Sequence, residues 1–121
     1  MDARRQRVVW GNVPAAGAGT RIQPLAFSKE LLPVGSPGED GTDRPRAVAE
    51  YLLERMTLAG ADRIGFIVSP GKTDIVEYFA VGRSSAHLSF VVQPVPAGLC
   101  DAIFHAAPLV GAADWVLVGL P

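Results

Sequence analysis

The sequence predicts a three-layer α/β/α fold on an open, mainly parallel sheet. Two observations carry that expectation. Short runs of β-branched and aromatic residues alternate with segments of helical periodicity, in the order strand, helix, strand, helix, strand, helix, strand. A glycine-rich segment directly follows the first run, and sheets of this kind bind ligands beyond the carboxyl ends of their strands. The 121 residues suit one domain, 1–121, and 49% hydrophobic against 19% charged residues is the balance of a chain that buries a core.

The first apolar run, 8–13, reads as a buried strand feeding the loop Pro14-Ala15-Ala16-Gly17-Ala18-Gly19. Residues 35–44 are rich in Gly, Pro and Asp and read as a surface loop. Pro45 suits the first turn of a helix, with Asp43 or Arg44 near its cap. Val48, Tyr51, Leu52, Arg55, Met56 and Ala59 then fall near i, i+3, i+4 spacing, and Gly60 is a natural stop. A second strand is expected over 63–68. Pro70 and Gly71 turn the chain into a short helix over 74–79, with Ile75, Val76 and Phe79 inward. A third strand follows over 88–92, a turn-rich loop over 93–98, a helix over 99–107 and a fourth strand over 115–119. Such a Rossmann-like sheet selects three loops as candidate sites: the one after the first strand, 93–98, and whatever follows the fourth strand.

The first of these loops carries the chemistry. Glycines at 17 and 19 let backbone N–H groups approach a phosphate, because no Cβ stands in the way. Arg21 adds a guanidinium fork suited to phosphate oxygens, and Lys29 a second cation. The loop is not a Walker A sequence, which ends Gly-Lys-Ser/Thr where this one has Gly19-Thr20-Arg21. Nor is it a dinucleotide fingerprint, since Ile22 stands where the third glycine belongs and no ribose-binding acid is evident. That disfavours a dehydrogenase domain.

Two longer strings resemble the signatures of sugar-phosphate nucleotidylyltransferases, which include glucose-1-phosphate thymidylyltransferases and UTP–glucose-1-phosphate uridylyltransferases. The first is Ala15-Ala16-Gly17-Ala18-Gly19-Thr20-Arg21-Ile22-Gln23-Pro24-Leu25 with Ser28-Lys29-Glu30-Leu31-Leu32-Pro33-Val34. The second is Gln93-Pro94-Val95-Pro96-Ala97-Gly98-Leu99. The helix ending Leu58-Ala59-Gly60-Ala61 and the strand over 64–68 lie between them in the family's order. The resemblance implies the N-terminal, nucleotide-binding half of a nucleotidyltransferase domain. It implies that the backbone of Ala16, Gly17 and Gly19, with Thr20, holds the nucleotide, that Arg21 and Lys29 neutralise its phosphates, and that Gln93 reads the base while Gly98 lets the backbone approach it. A carboxamide both donates and accepts, which suits uracil or thymine. Mg²⁺ is implied as well. In the family an aspartate that binds it follows the fourth strand, and a second metal-binding acid, a sugar-phosphate-binding lysine and the sugar-recognition region lie further on. The resemblance places all of these beyond Pro121. The connection over 35–44 is longer and more polar than the family's common one.

The functional expectation is nucleotidylyl transfer from UTP or dTTP to a sugar-1-phosphate, with glucose-1-phosphate the acceptor and pyrophosphate the leaving group. The alternative is a truncated, catalytically incompetent nucleotide-binding fragment or an interaction module, prone to self-association through an exposed sheet edge. A net charge of −1 makes no case for nucleic acid or an anionic membrane. Arg4, Arg5 and Arg7 precede no apolar h-region, and no apolar run reaches the roughly 18–20 residues of a spanning helix. A single cysteine, Cys100, fits a reducing cytoplasm and reads as a small packed residue. Asp101 reads as a helix-dipole partner and Glu39, Asp40 and Asp43 as solvated loop acids. His87 and His105 have no ligand partner at metal spacing, and Trp10, Trp115, Tyr51 and Phe79 read as core or near-core.

Overall fold

A computed structural model describes residues 6–17, 27–35, 45–82 and 84–121 of the chain. Strands β1 (Val9–Pro14), β4 (Arg63–Val68), β5 (His87–Val92) and β6 (Trp115–Val118) form one sheet in the order β5-β4-β1-β6. Every pairing is parallel: Val13 of β1 lies opposite Phe66 of β4, Phe66 opposite Phe90 of β5, and Trp10 opposite Val116 of β6. Strands β2 (Pro33–Val34) and β3 (Arg46–Ala47) make a separate two-residue antiparallel ladder. Helices α1 (Val48–Leu58), α2 (Thr73–Phe79), α3 (Leu99–Phe104) and α4 (Ala107–Val110) connect the strands.

The central strand β4 shows why the layers number three. Successive side chains of a strand point to opposite faces. Ile64, Phe66 and Val68 pack into one cluster with Ala49, Leu53 and Met56 of α1 and Ile75 and Phe79 of α2. Ile67 faces the other way, into a smaller cluster with Ala16, Ala102 and Ala106. A strand covered on both faces must be apolar throughout, and β4 is buried from Ile64 to Val68. Phe66 anchors the larger cluster, its ring 5.3 Å from those of both Phe79 and Phe90. On β1, Asn12 donates from Nδ2 to the Ile103 carbonyl near the end of α3 at 3.1 Å, while its buried Oδ1 finds no partner among the described residues.

The expected strands sit within a residue of the observed ones, while several helix details differ. Helix α1 starts at Val48 rather than at Pro45, because Arg46 and Ala47 are extended and pair with Val34 and Pro33. Its N-terminus is held by Glu50, whose carboxylate accepts the Ala47 backbone N–H at 3.4 Å and a bond from Arg46 Nε at 3.3 Å, and also takes the Tyr78 hydroxyl. Ala47 has no side-chain oxygen, so only this half of a capping box forms. The buried face of α1 centres on Ala49, Leu53 and Met56, and Arg55 and Ala59 point outward. Gly60 ends the helix with φ of 103°, as expected of a stop glycine. The helix expected over 99–107 divides into α3 and α4, with Pro108 in the first turn of α4. Trp115 and Cys100 are exposed rather than packed. The expected caps Asp43 and Arg44 and the loop acids Glu39 and Asp40 lie outside the described residues.

Candidate functional site

All four parallel strands end on one side of the molecule, and the chain reverses its direction of travel across the sheet at β1, which lies between β4 and β6. Such a switch point opens a crevice beyond the strand ends. A cleft of about 400 Å³ lies there. Pro14, Ala16 and Gly17 border it from the end of β1, Gln93, Pro96 and Gly98 from the loop after β5, and Leu120 and Pro121 after β6. The three loops selected from the sequence thus meet in one place. Lys29 and Glu30 supply a fourth side, and Leu99 and Ala102 of α3 a fifth.

Backbone bonds beyond the strands set the walls. Ala15 N–H donates to the Ile67 carbonyl at 2.7 Å, Gln93 N–H to Val68 at 2.8 Å and Gly119 N–H to Asn12 at 3.0 Å. Each extends a parallel ladder past its last residue, so the first cleft residues inherit the rigidity of the sheet.

Lys29 begins a short 3-10 helix, Lys29–Leu31. Its ammonium lies 3.9 Å from where a Cβ on Gly17 would sit, so it faces that glycine. It forms no ion pair among the described residues. The next residue turns the opposite way. Glu30 is fully buried and accepts from Lys72 Nζ at 2.9 Å (Oε1) and 3.2 Å (Oε2). Two residues on, Asp74 accepts the Ser28 backbone N–H at 2.7 Å and its hydroxyl at 2.5 Å. Burial alone would push the Asp74 carboxyl up, but the bonds from Ser28 and from the Ile75 backbone outweigh it and hold it below its ordinary 3.8. The start of α2 therefore grips Ser28 and Glu30 on both sides of Lys29, which borders the cleft.

On the opposite wall, Gln93 is buried and its amide nitrogen donates to Asp101 Oδ2 at 2.8 Å and, more loosely, to the Gly98 carbonyl at 3.4 Å. Gly98 precedes α3 with φ of 95°, a conformation L side chains rarely adopt. A Cβ there would meet nothing within 4 Å, so the glycine is required by backbone conformation rather than by space. Five of the site residues expected from sequence, Ala16, Gly17, Lys29, Gln93 and Gly98, border the same cleft. Gly19, Thr20 and Arg21 lie outside the described residues. Glu30, Lys72, Asp74 and Asp101 were not expected to matter here.

Comparison with known proteins adds to this geometry. The chain is 32% identical over 132 aligned positions to a UTP–glucose-1-phosphate uridylyltransferase of Mycoplasma pneumoniae, the match covering 88% of the chain and 42% of that protein. It is 31% identical to the corresponding protein of Mycoplasma genitalium, with the same coverage. The chain belongs, over the stretch it covers, to the sugar-1-phosphate nucleotidylyltransferase family. This nucleotidylyltransferase-family chain spans less than half the length of the curated relatives it matches. No family model matches it. Its fold is also that of a Bacillus anthracis protein assigned as a glucose-1-phosphate thymidylyltransferase and crystallised with sucrose (TM-score 0.73, 22% identity, 92% of this chain and 44% of that one). An apo UDP-glucose pyrophosphorylase is similar too (TM-score 0.66, 22% identity, 86% and 44%).

Among the described residues of this nucleotidylyltransferase-family chain, no group of three or more His, Cys, Asp or Glu side chains could hold a metal ion. The Mg²⁺ implied by the family finds no ligand set there. No described helix is long and apolar enough to cross a membrane.

Proposed function

We propose that the chain binds the nucleoside triphosphate, UTP or dTTP, for nucleotidylyl transfer to a sugar-1-phosphate, with glucose-1-phosphate the acceptor. The observation that carries this reading is the meeting of a lysine with no ion-pair partner among the described residues, a glycine-rich strand end and a buried carboxamide in one cleft at the carboxyl ends of parallel strands. Each wall has a chemical counterpart in the ligand. Ala16 and Gly17 offer backbone close to phosphates. Lys29, with Arg21 from the same sequence signature, opposes their charge. Gln93 offers a hydrogen bond to the base, and Gly98 a close backbone approach. Gly19 and Thr20 join the phosphate cradle in the same reading.

In the proposed reaction an oxygen of the sugar phosphate attacks the α-phosphorus, a new P–O bond forms, and the bond to the departing pyrophosphate breaks. Positioning and charge stabilisation dominate such chemistry, and no protein nucleophile is required. Lys29 and Arg21 hold the phosphates in line and offset the charge that builds on the leaving group. A cytoplasmic setting accompanies this reading, in keeping with one unpaired cysteine.

In a second reading the stretch matched to about 42% of the first curated relative binds the nucleotide without turning it over, or serves as an interaction module. Two measurements separate the readings. Calorimetric titration with UTP and dTTP, repeated on K29A, tests the site: affinity should fall on the order of tenfold or more in the variant, the value of a charge-assisted contact. Absence of binding to either nucleotide by folded protein would sink both nucleotide readings. Pyrophosphate release with glucose-1-phosphate and Mg²⁺ then tests turnover, and binding without release favours the second reading.

A further inference from the structure

The nucleotide reading leaves open how Gln93 can discriminate at all. A free carboxamide can turn over, presenting N–H₂ to one ligand and C=O to another, and a group that turns over rejects nothing. The surroundings of Gln93 remove that freedom. Its two polar neighbours are the Asp101 carboxylate at 2.8 Å and the Gly98 carbonyl at 3.4 Å. A carbonyl and an ionised carboxylate only accept, so the amide nitrogen must face them. The carbonyl Oε1 is then the atom left over. It accepts no hydrogen bond among the described residues, and Gln93 borders the cleft. Asp101 is itself steadied by His105, whose Nδ1 lies 2.8 Å from the Asp101 carbonyl oxygen and 3.3 Å from Oδ2. Both atoms accept, so Nδ1 carries the proton.

We propose that Asp101 is the positioning residue that sets base selectivity, by locking the Gln93 amide with its carbonyl oxygen presented to the cleft. The inference rests on the nucleotide reading above. A fixed acceptor rewards a base carrying a ring N–H, as uracil and thymine do at N3. It repels cytosine, which has a bare lone pair at the same position. The two pyrimidines are nearly the same size, so the difference arises at the hydrogen-bonding edge rather than in shape.

The test compares UTP with CTP binding by calorimetry for the wild-type protein, D101A and D101N. The wild type should prefer UTP by on the order of tenfold or more, because a buried polar group left facing a like group costs about as much as a lost hydrogen bond. D101A should lose most of that preference. D101N should keep most of it, since its amide oxygen can still accept from Gln93. Simple removal of a negative charge from the surroundings of the cleft would strengthen UTP and CTP alike and leave their ratio unchanged, so an unchanged ratio in D101A overturns the proposal while the nucleotide reading stands. Failure of the wild type to bind either nucleotide overturns both. A ligand-free measurement accompanies these. In ¹⁵N-edited spectra the Gln93 side-chain amide protons should lie downfield in wild type and D101N and move toward the free-amide position in D101A. No movement in D101A would show that the lock does not exist.

Discussion

Lys72 and Glu30 stand 42 residues apart in the chain and meet with almost no water around them. Taking both charges out of water is expensive, and their attraction offsets that cost only while both are present. Lys72→Met should therefore destabilise the fold by about 3–5 kcal/mol in urea titrations, the cost of a stranded buried carboxylate. The double variant Glu30→Leu, Lys72→Met should recover much of the loss, and a double variant no better than the single one would refute this account. Asp74 makes a prediction of opposite character, visible only through pH. Its carboxyl is held below 3.8 when folded, so the stabilisation it lends is complete above the unfolded value and disappears as pH falls through the folded one. The stability gap between wild type and Asp74→Asn should be constant near neutrality and close as pH drops below about 4. A gap that persists at acid pH would mean that the Ser28 contacts depend little on the ionised form.

At the level of elements, β4 carries the fold. Phe66 is fully buried between the rings of Phe79 and Phe90, and so joins α2, β4 and β5. Phe66→Ala should cost about 3–5 kcal/mol in denaturant midpoint analysis, since a ring removed from a packed centre leaves a cavity that its neighbours cannot fill. A loss under about 1 kcal/mol would indicate that the cluster collapses around the gap. The strands were legible in advance because each is a run of β-branched and aromatic residues bounded by turn formers, a signal contained within six residues or so. The start of α1 differs from the expectation, since Pro45 suits a first helical turn. Only the pairing of Arg46 and Ala47 with Pro33 and Val34 displaces it, and a two-residue ladder leaves no periodicity to find. Candidate site residues were legible where a short motif carried them: Ala16, Gly17, Lys29, Gln93 and Gly98 border one cleft. Their supports were not. Asp101 reads in sequence as a helix-dipole partner, and nothing local reveals that its carboxylate reaches back to Gln93. Glu30 and Lys72 are 42 residues apart, and only the fold brings Lys72, at the start of α2, against the 3-10 turn.

For the whole molecule, the strand order leaves β5 and β6 at the margins of the sheet, and the two margins differ. On β6, Trp115 is 59% and Val118 48% exposed, and Leu120 just beyond it is 61% exposed. Among the described residues no further strand pairs with β6. Unpaired edges offer free N–H and C=O groups, and charged side chains are the usual protection; β6, with sequence Trp-Val-Leu-Val, carries none. A second copy of the same chain can cover both the edge and the apolar side chains. The 121-residue chain is therefore expected to self-associate, with a sedimentation coefficient that rises with concentration and a melting temperature that rises with it. Trp115→Lys combined with Val118→Lys should return the chain to a concentration-independent monomer, because facing lysines repel across a paired edge. Neither residue borders the cleft, so UTP affinity should survive the change. A wild-type chain that sediments as a monomer at every concentration would remove β6 as an association surface.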